Sequence, residues 1–236
     1  MKFTPLALAA TLMFAASAQA NESVIRKALT QQFPGATITS VQKTPYSGLF
    51  EVYLDGQLVY VDDKAQYLFA GDVIDLKNRT NLTQARLNQL QAVKWDVFPL
   101  NNALKTVKGN GARKLILFSD VDCPFCRRFE AELAKVDNIT VYTFLYPIEG
   151  LHPNAPQTSK QIWCAPDRNK AWDAYISGGS VPKNDGKCAN PVDANIALGN
   201  KLKVSGTPTL FFANGQRVPG MVPAAQLEKL LAANAK

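Results

Sequence analysis

Two cysteines three residues apart, Cys123 and Cys126, lie in "FSDVDCPFCRRFE", between an apolar run and a charged, periodic one. That spacing suits a metal site, a haem attachment, a structural bridge or a dithiol that opens and closes. Structural zinc needs two close pairs, or one pair with histidines. Here the other cysteines, Cys164 and Cys188, stand far apart, and His152 is the only histidine. Haem attachment needs a histidine directly after the second cysteine, where this chain has Arg127. A cysteine protease needs a base beside its thiol, and His152 lies in "GLHPNA", which reads as a loop. No metal and no cofactor is therefore expected.

A bridge between Cys123 and Cys126 is sterically reasonable, because residues three apart share one helix face. It would close a very short loop and so remove little unfolded-state entropy. Such a bond suits electron exchange better than stapling. If a helix starts near Cys123, the free N–H groups of its first turn and its dipole favour a thiolate there. Pro124 fits that first turn, where its missing N–H costs nothing. Asp122 opposes ionisation of Cys123, and Arg127 favours it. Cys123 is thus expected to attack, and Cys126, one turn deeper beside Phe129, to resolve.

Downstream, Thr207-Pro208 opens a strand in "VSGTPTLFF". In a strand–CxxC–helix fold, a cis bond there can face the cysteines and leave the Thr207 backbone free to pair with an extended peptide. An ordinary trans proline at a strand edge is the commoner alternative. A bridge between Cys164 and Cys188 would contribute roughly 3–4 kcal/mol in the chain-entropy model and would staple a helical insert. Four cysteines admit three pairings, and the residues alone leave the choice open.

The elements that must position these groups read as two units and a connector. In residues 21–76, "ESVIRKALTQQF" has the apolar spacing of a helix, stopped by Pro34-Gly35. A meander of about three strands follows, with a hairpin at Asp55-Gly56 and a second turn near Asp62. So small a unit is marginal alone, and a second copy of the chain is its expected partner. Residues 77–93 read as a polar, exposed linker helix. From residue 94 to 236 the period changes. "WDVFPL" and "KLILFSD" read as strands, then a CxxC helix, a strand "NITVYTFLYPI", and a helical region from Gln157 to about Val204 broken near 177–189. A hairpin at Asn214-Gly215 and a last helix close the chain.

Residues 1–20, "MKFTPLALAATLMFAASAQA", carry one lysine, a short apolar run and a small-residue triplet, and are expected to be a signal peptide cleaved after Ala20. No later apolar run is long enough to span a bilayer, so an exported, soluble product is expected. An even cysteine count in an exported chain points to disulfide chemistry. The formal charge of +7 is spread along the chain. Nucleic acid would need a basic stripe, and none is present, so no nucleic-acid partner is expected.

Strand, CxxC at a helix start, strand, helical segment, Thr-Pro strand, hairpin and helix together resemble the thioredoxin pattern. More narrowly, "FSDVDCPFCRRFE", "QIWCAPDRNKAWDAY", "ALGNKLKVSGTPTLFFANGQRVPG" and "LVYVDD" resemble the periplasmic disulfide isomerases of the DsbC/DsbG type, over nearly all of the chain after residue 20. The resemblance implies an α+β protein with a small cystatin-like dimerisation domain, a linker helix and a thioredoxin-like α/β domain with a helical insertion. It implies Cys123 and Cys126 as the redox pair, Thr207 and Pro208 at the substrate, and a structural Cys164–Cys188 disulfide, which favours the DsbC branch. It further implies a V-shaped homodimer through residues 21–76, a cleft with chaperone activity for misfolded or misoxidised exported proteins, and a membrane reductase of the DsbD type as electron donor. One departure is Pro124-Phe125, where DsbC proteins often have Gly-Tyr. A proline there is more like DsbG or the oxidant-type members, so a net dithiol oxidant and a DsbG-like chaperone or reductase of single cysteines remain alternatives. A holdase whose cysteines are secondary is a third.

Overall fold

Apolar residues four apart give the first helix a buried edge. In the computed structural model, which describes residues 10–46 and 48–234, α1 spans Ala10–Gln32 and buries Ile25 and Leu29. Part of the expected signal peptide, residues 1–9, lies outside the described residues, and the Ala18-Gln19-Ala20 triplet falls within α1. No helix among the described residues is long and apolar enough to cross a membrane. The chain divides into two compact units after Leu90.

In the first unit α1 packs on an antiparallel meander of β1 (Ile38–Lys43), β2 (Phe50–Leu54), β3 (Gln57–Val61) and β4 (Leu68–Phe69). The core is Val41, Phe50, Val52, Val59 and Val61 beneath Ile25 and Leu29. Asp55 and Gly56 both take positive φ, 48° and 84°, which is what a two-residue hairpin matched to strand twist requires. The sheet has four strands rather than about three, because the polar run "ITSVQK" pairs with β2 through one buried residue, Val41.

The expected helix over 77–93 is shorter. β5 (Ile74–Asp75) and β6 (Thr80–Asn81) form a small hairpin, and α2 covers only Leu82–Leu90. The Asp75 carboxylate accepts from the Lys77 and Asn78 amides and so commits residues 77–79 to a turn. Asn81 Oδ1 then caps α2 by accepting from the Gln84 amide at 2.8 Å. Nor is α2 a free polar helix. Thr83 is buried against the Tyr60 hydroxyl at 2.6 Å, and Arg86 Nε bonds the buried Glu51 at 2.7 Å. Charges placed at 86 and 51 therefore tie α2 to β2 of its own unit.

The second unit has one five-stranded sheet in the order β11-β10-β8-β9-β7. Its strands are β7 (Leu104–Lys108), β8 (Arg113–Ser119), β9 (Ile139–Leu145), β10 (Thr209–Phe212) and β11 (Arg217–Pro219). Only β8 and β9 are parallel, and α3 (Pro124–Leu133) makes the crossover between them. Leu115 to Phe118 on β8 are fully buried, as a central strand covered on both faces must be. Leu115 and Leu117 face α3 and the last helix, α7 (Ala224–Ala233); Ile116 and Phe118 face Phe98, Phe144 and Phe211.

Two expectations change here. "WDVFPL" is not a strand but two single 3-10 turns, Trp95–Val97 and Leu100–Asn102, around the buried Phe98. The edge strand is β7 instead, whose "LKTVK" alternates. The helical region resolves into α4 (Ala155–Trp163), α5 (Arg168–Ile176) and α6 (Val192–Lys201). Pro166 ends the first stretch, and Asp167 caps α5 by accepting from the Lys170 amide at 3.0 Å. On α6, Gly199 is required, since a Cβ there would lie 2.3 Å from the Tyr146 ring.

Candidate active site

The central strand ends at Ser119, and a short loop delivers Cys123 to the start of α3. Cys123 is the N-cap, with extended φ and ψ of −71° and 122°, and Pro124 is the first helical residue. The sulfur therefore lies where the orphan N–H groups of the first turn point. Both thiols are free. Cys123 is 6% exposed and Cys126, packed with Phe129 on the inner face of α3, is 0% exposed.

Thr207-Pro208 is cis, and the neutral Cys123 thiol donates to the Thr207 carbonyl at 3.4 Å. Pro208 is buried, and its own carbonyl accepts from the Gly220 amide. The structure thus brings Cys123, Cys126 and Thr207 together from two places 84 residues apart. It sets the two thiols on opposite sides of the ordinary range. The Cys123 thiol is held down at about 5, first by hydrogen bonding from Cys126, with help from the Thr207 side chain and the amides of Cys126 and Phe125, against the opposing effect of burial. Cys126 is pushed up, first by that same pairing and then by burial. That split makes the Cys123 sulfur the more easily ionised of the two.

The charges flanking the pair are arranged differently from their sequence spacing. Asp122 accepts from the Tyr175 hydroxyl at 2.7 Å, and Arg127 lies over the Tyr175 ring while donating to its carbonyl at 3.4 Å. Arg127 thus serves α5, not Cys123. Asp120, which sequence reasoning passed over, also meets His152, which it weighed only as a protease base. Asp120 is fully buried; its carboxylate accepts from the amides of Asp122 and Ile148 and meets His152 Nδ1 at 3.0 Å. The signal was an acid just past the apolar run of the central strand, in "LILFSD".

The second pair is joined: Cys164 and Cys188 form a disulfide with Cα atoms 5.7 Å apart. It ties the end of α4 to the loop after α5. Gln161 and Asn184 reinforce that tie with two reciprocal hydrogen bonds.

Behind the cysteines, α3 and α5 border an open cavity of about 740 Å³ lined by Lys108, Glu130, Leu133, Val141, Trp172 and Ile176. Glu130 Oε1 is closed off from solvent without a hydrogen-bond partner. Burial, aided by the Asp173 charge, pushes the Glu130 carboxyl up to about 7, against a hydrogen bond from Trp172 and the Lys108 charge. A raised carboxyl keeps its proton in the folded state between the unfolded value near 4.5 and about 7, where the unfolded chain has released it. Its contribution to stability is therefore present at low pH and is lost as the pH rises through that window, by up to about 3 kcal/mol. All three tryptophans lie after residue 90, so tryptophan fluorescence reports this unit alone. Urea unfolding followed that way should show stability falling from pH 5 to pH 8, and Glu130→Gln should flatten the slope.

Residues 100–235 match the family described as a thioredoxin-like domain, and residues 16–84 match the disulfide bond isomerase protein N-terminal domain. The probable thiol:disulfide interchange protein DsbC of Bordetella pertussis is 40% identical over 218 residues, covering 91% of this chain and 77% of that protein. The thiol:disulfide interchange protein DsbC of Escherichia coli is 30% identical over 237 residues, covering 98% of this chain and 94% of that one. A crystal structure of a disulfide interchange protein from Neisseria gonorrhoeae is 44% identical, with a TM-score of 0.57, over 59% of this chain and 99% of that one. An α+β chain with both of these domains in order, and with its CxxC at the helix start that the fold supplies, belongs to the DsbC family of thiol:disulfide interchange proteins.

Proposed function

We infer that this chain is a periplasmic protein disulfide isomerase and reductase, exported by the leader in residues 1–20. The observation that carries the reading is the split pair: a depressed Cys123 thiol at a helix start and a raised, buried Cys126. The Cys123 thiolate attacks one sulfur of a wrong disulfide in the client. A Cys123–client bond forms, the client S–S bond breaks, and the departing client sulfur takes a proton. In isomerisation, another client thiolate attacks the client sulfur of the mixed disulfide and frees Cys123 unchanged. In reduction, Cys126 loses its proton and attacks Cys123 Sγ, releasing the client thiol and leaving a Cys123–Cys126 disulfide. Two electrons must then come from outside, and a membrane reductase of the DsbD type is the proposed donor. Thr207 and Pro208 would hold an extended client strand beside the sulfur.

The proposed homodimer rests on the first unit. Its edge strand β4 exposes both Leu68 and Phe69, next to an exposed Tyr67. An apolar unpaired edge on so small a sheet is a template for a second copy. A Leu68→Lys, Phe69→Asp variant should halve the sedimenting mass, measured by analytical ultracentrifugation, without unfolding either unit.

One observation favours a second reading. A thiol held near 5 stabilises the reduced pair, which makes its disulfide more oxidising. Recovery of activity from scrambled ribonuclease in a glutathione buffer separates the two. Recovery supports the isomerase. No recovery, with fast oxidation of reduced ribonuclease, supports the net oxidant.

A further inference from the structure

The buried Asp120 carboxylate sets a problem for the nucleophile beside it. The Cys123 amide donates to the Asp120 carbonyl at 3.2 Å, so the two residues share one tight turn. A fixed negative charge there opposes a second one on Cys123. The Asp120 carboxylate accepts from two amides, those of Asp122 and Ile148. The one group facing it that can carry a positive charge is His152, with Nδ1 at 3.0 Å. His152 belongs to the turn that starts α4: its carbonyl accepts from Ala155, and Ala155 packs in the same buried cluster as Cys123. Of the other charged groups nearby, Asp122 accepts from Tyr175 of α5 and acts on His152 in the same sense as Asp120, Arg127 from α3 is stacked on the Tyr175 ring, and Glu149 on the same turn as His152 is exposed.

We propose that His152 is a positioning and charge-compensating residue: its imidazolium, held by Asp120, cancels the buried carboxylate beside Cys123 and so keeps the Cys123 thiolate available for attack. The proposal rests on Cys123 being the attacking thiol. Hydrogen bonding to Asp120 comes first among the influences that raise His152 above its ordinary value, and the charges of Asp120, Cys123 and Asp122 act the same way, against burial. The cation therefore persists to higher pH than on a free imidazole. It is lost above its raised value, where the uncompensated Asp120 charge disfavours the thiolate.

Thiolate absorbance near 240 nm, titrated on the full reduced chain from pH 3 to 9, tests this apart from any isomerase assay. A wild-type thiolate already formed at pH 6.5 that disappears in Cys123→Ser supports the nucleophile assignment; a thiolate untouched by that change refutes the assignment and removes the basis of the proposal. The role of His152 is read from the difference between variants. His152→Gln keeps a hydrogen-bond donor for Asp120 and removes only the charge. It should raise the Cys123 titration by about one pH unit, and slow alkylation by iodoacetamide at pH 5 to 6 several-fold. His152→Lys restores a cation and should return the titration toward wild type. A Gln variant that titrates as wild type overturns the proposal. So do Gln and Lys variants that shift equally, because the turn's structure and not its charge would then be at work.

Discussion

Cys123→Ser should abolish both activities, by at least about a thousandfold against scrambled ribonuclease, while Cys126→Ser should keep part of the isomerisation and lose reduction. The asymmetry follows from position. Cys123 is at the N-cap, where the amides of Phe125 and Cys126 stabilise its anion, and a serine hydroxyl there stays protonated throughout the working range. A thousandfold loss corresponds to about 4 kcal/mol of barrier. That is modest for replacing a thiolate by a neutral alcohol. Cys126 is buried and pushed up, so it contributes a hydrogen bond to the first thiolate and an intramolecular escape from the mixed disulfide. A serine retains the donor and removes the escape. Non-reducing electrophoresis should then show client bound covalently to Cys126→Ser and to no other single variant of the pair. Residual isomerisation and trapped client in Cys123→Ser instead would reverse the assignment of the two sulfurs.

How much of this the sequence carries depends on how local each feature is. Cys123, Pro124 and Cys126 are a four-residue pattern, and the helix behind them follows from Phe129 and Leu133 on one face. The hairpins at Asp55-Gly56 and Asn214-Gly215 are equally local, since positive φ selects Asp55, Gly56 and Gly215. The two 3-10 turns at Trp95 and Leu100 were not legible. A buried aromatic such as Phe98 looks the same whether strand or turn carries it. β1 was missed for the opposite reason, since its strand shows one buried residue, a half-buried Ile38 and four polar neighbours. Asp120 and His152 are 32 residues apart and meet only because β9 returns parallel to β8, placing Ile148 beside the Asp120 loop. Glu130 reads as the charged face of an amphipathic helix, and only α5 folding over it turns that face inward.

Removing the second disulfide, with Cys164→Ala and Cys188→Ala together, should destabilise the second unit by about 3–4 kcal/mol and shift its urea midpoint down by roughly 1–2 M. The bridge joins residues 24 apart, and a loop of that length sets the chain entropy that the unfolded state regains. Against a typical domain stability of about 5–15 kcal/mol, that is a large share. The loss falls where it matters for redox chemistry. Ile162 and Trp163 on α4, and Trp172 and Ile176 on α5, pack in the same cluster as Cys123 and Cys126. Loosening the tie between the end of α4 and the loop after α5 should let water reach Cys126 and narrow the gap between the two thiols. The single variants should be worse than the double one. Cys164→Ala leaves Cys188 exposed and unpaired, and under oxidising conditions it can bridge to Cys123 and silence that thiol. Thiol counting and the scrambled-ribonuclease assay on all three variants decide it. Equal activity of single and double variants would mean that Cys188 cannot reach Cys123, within a chain or between chains.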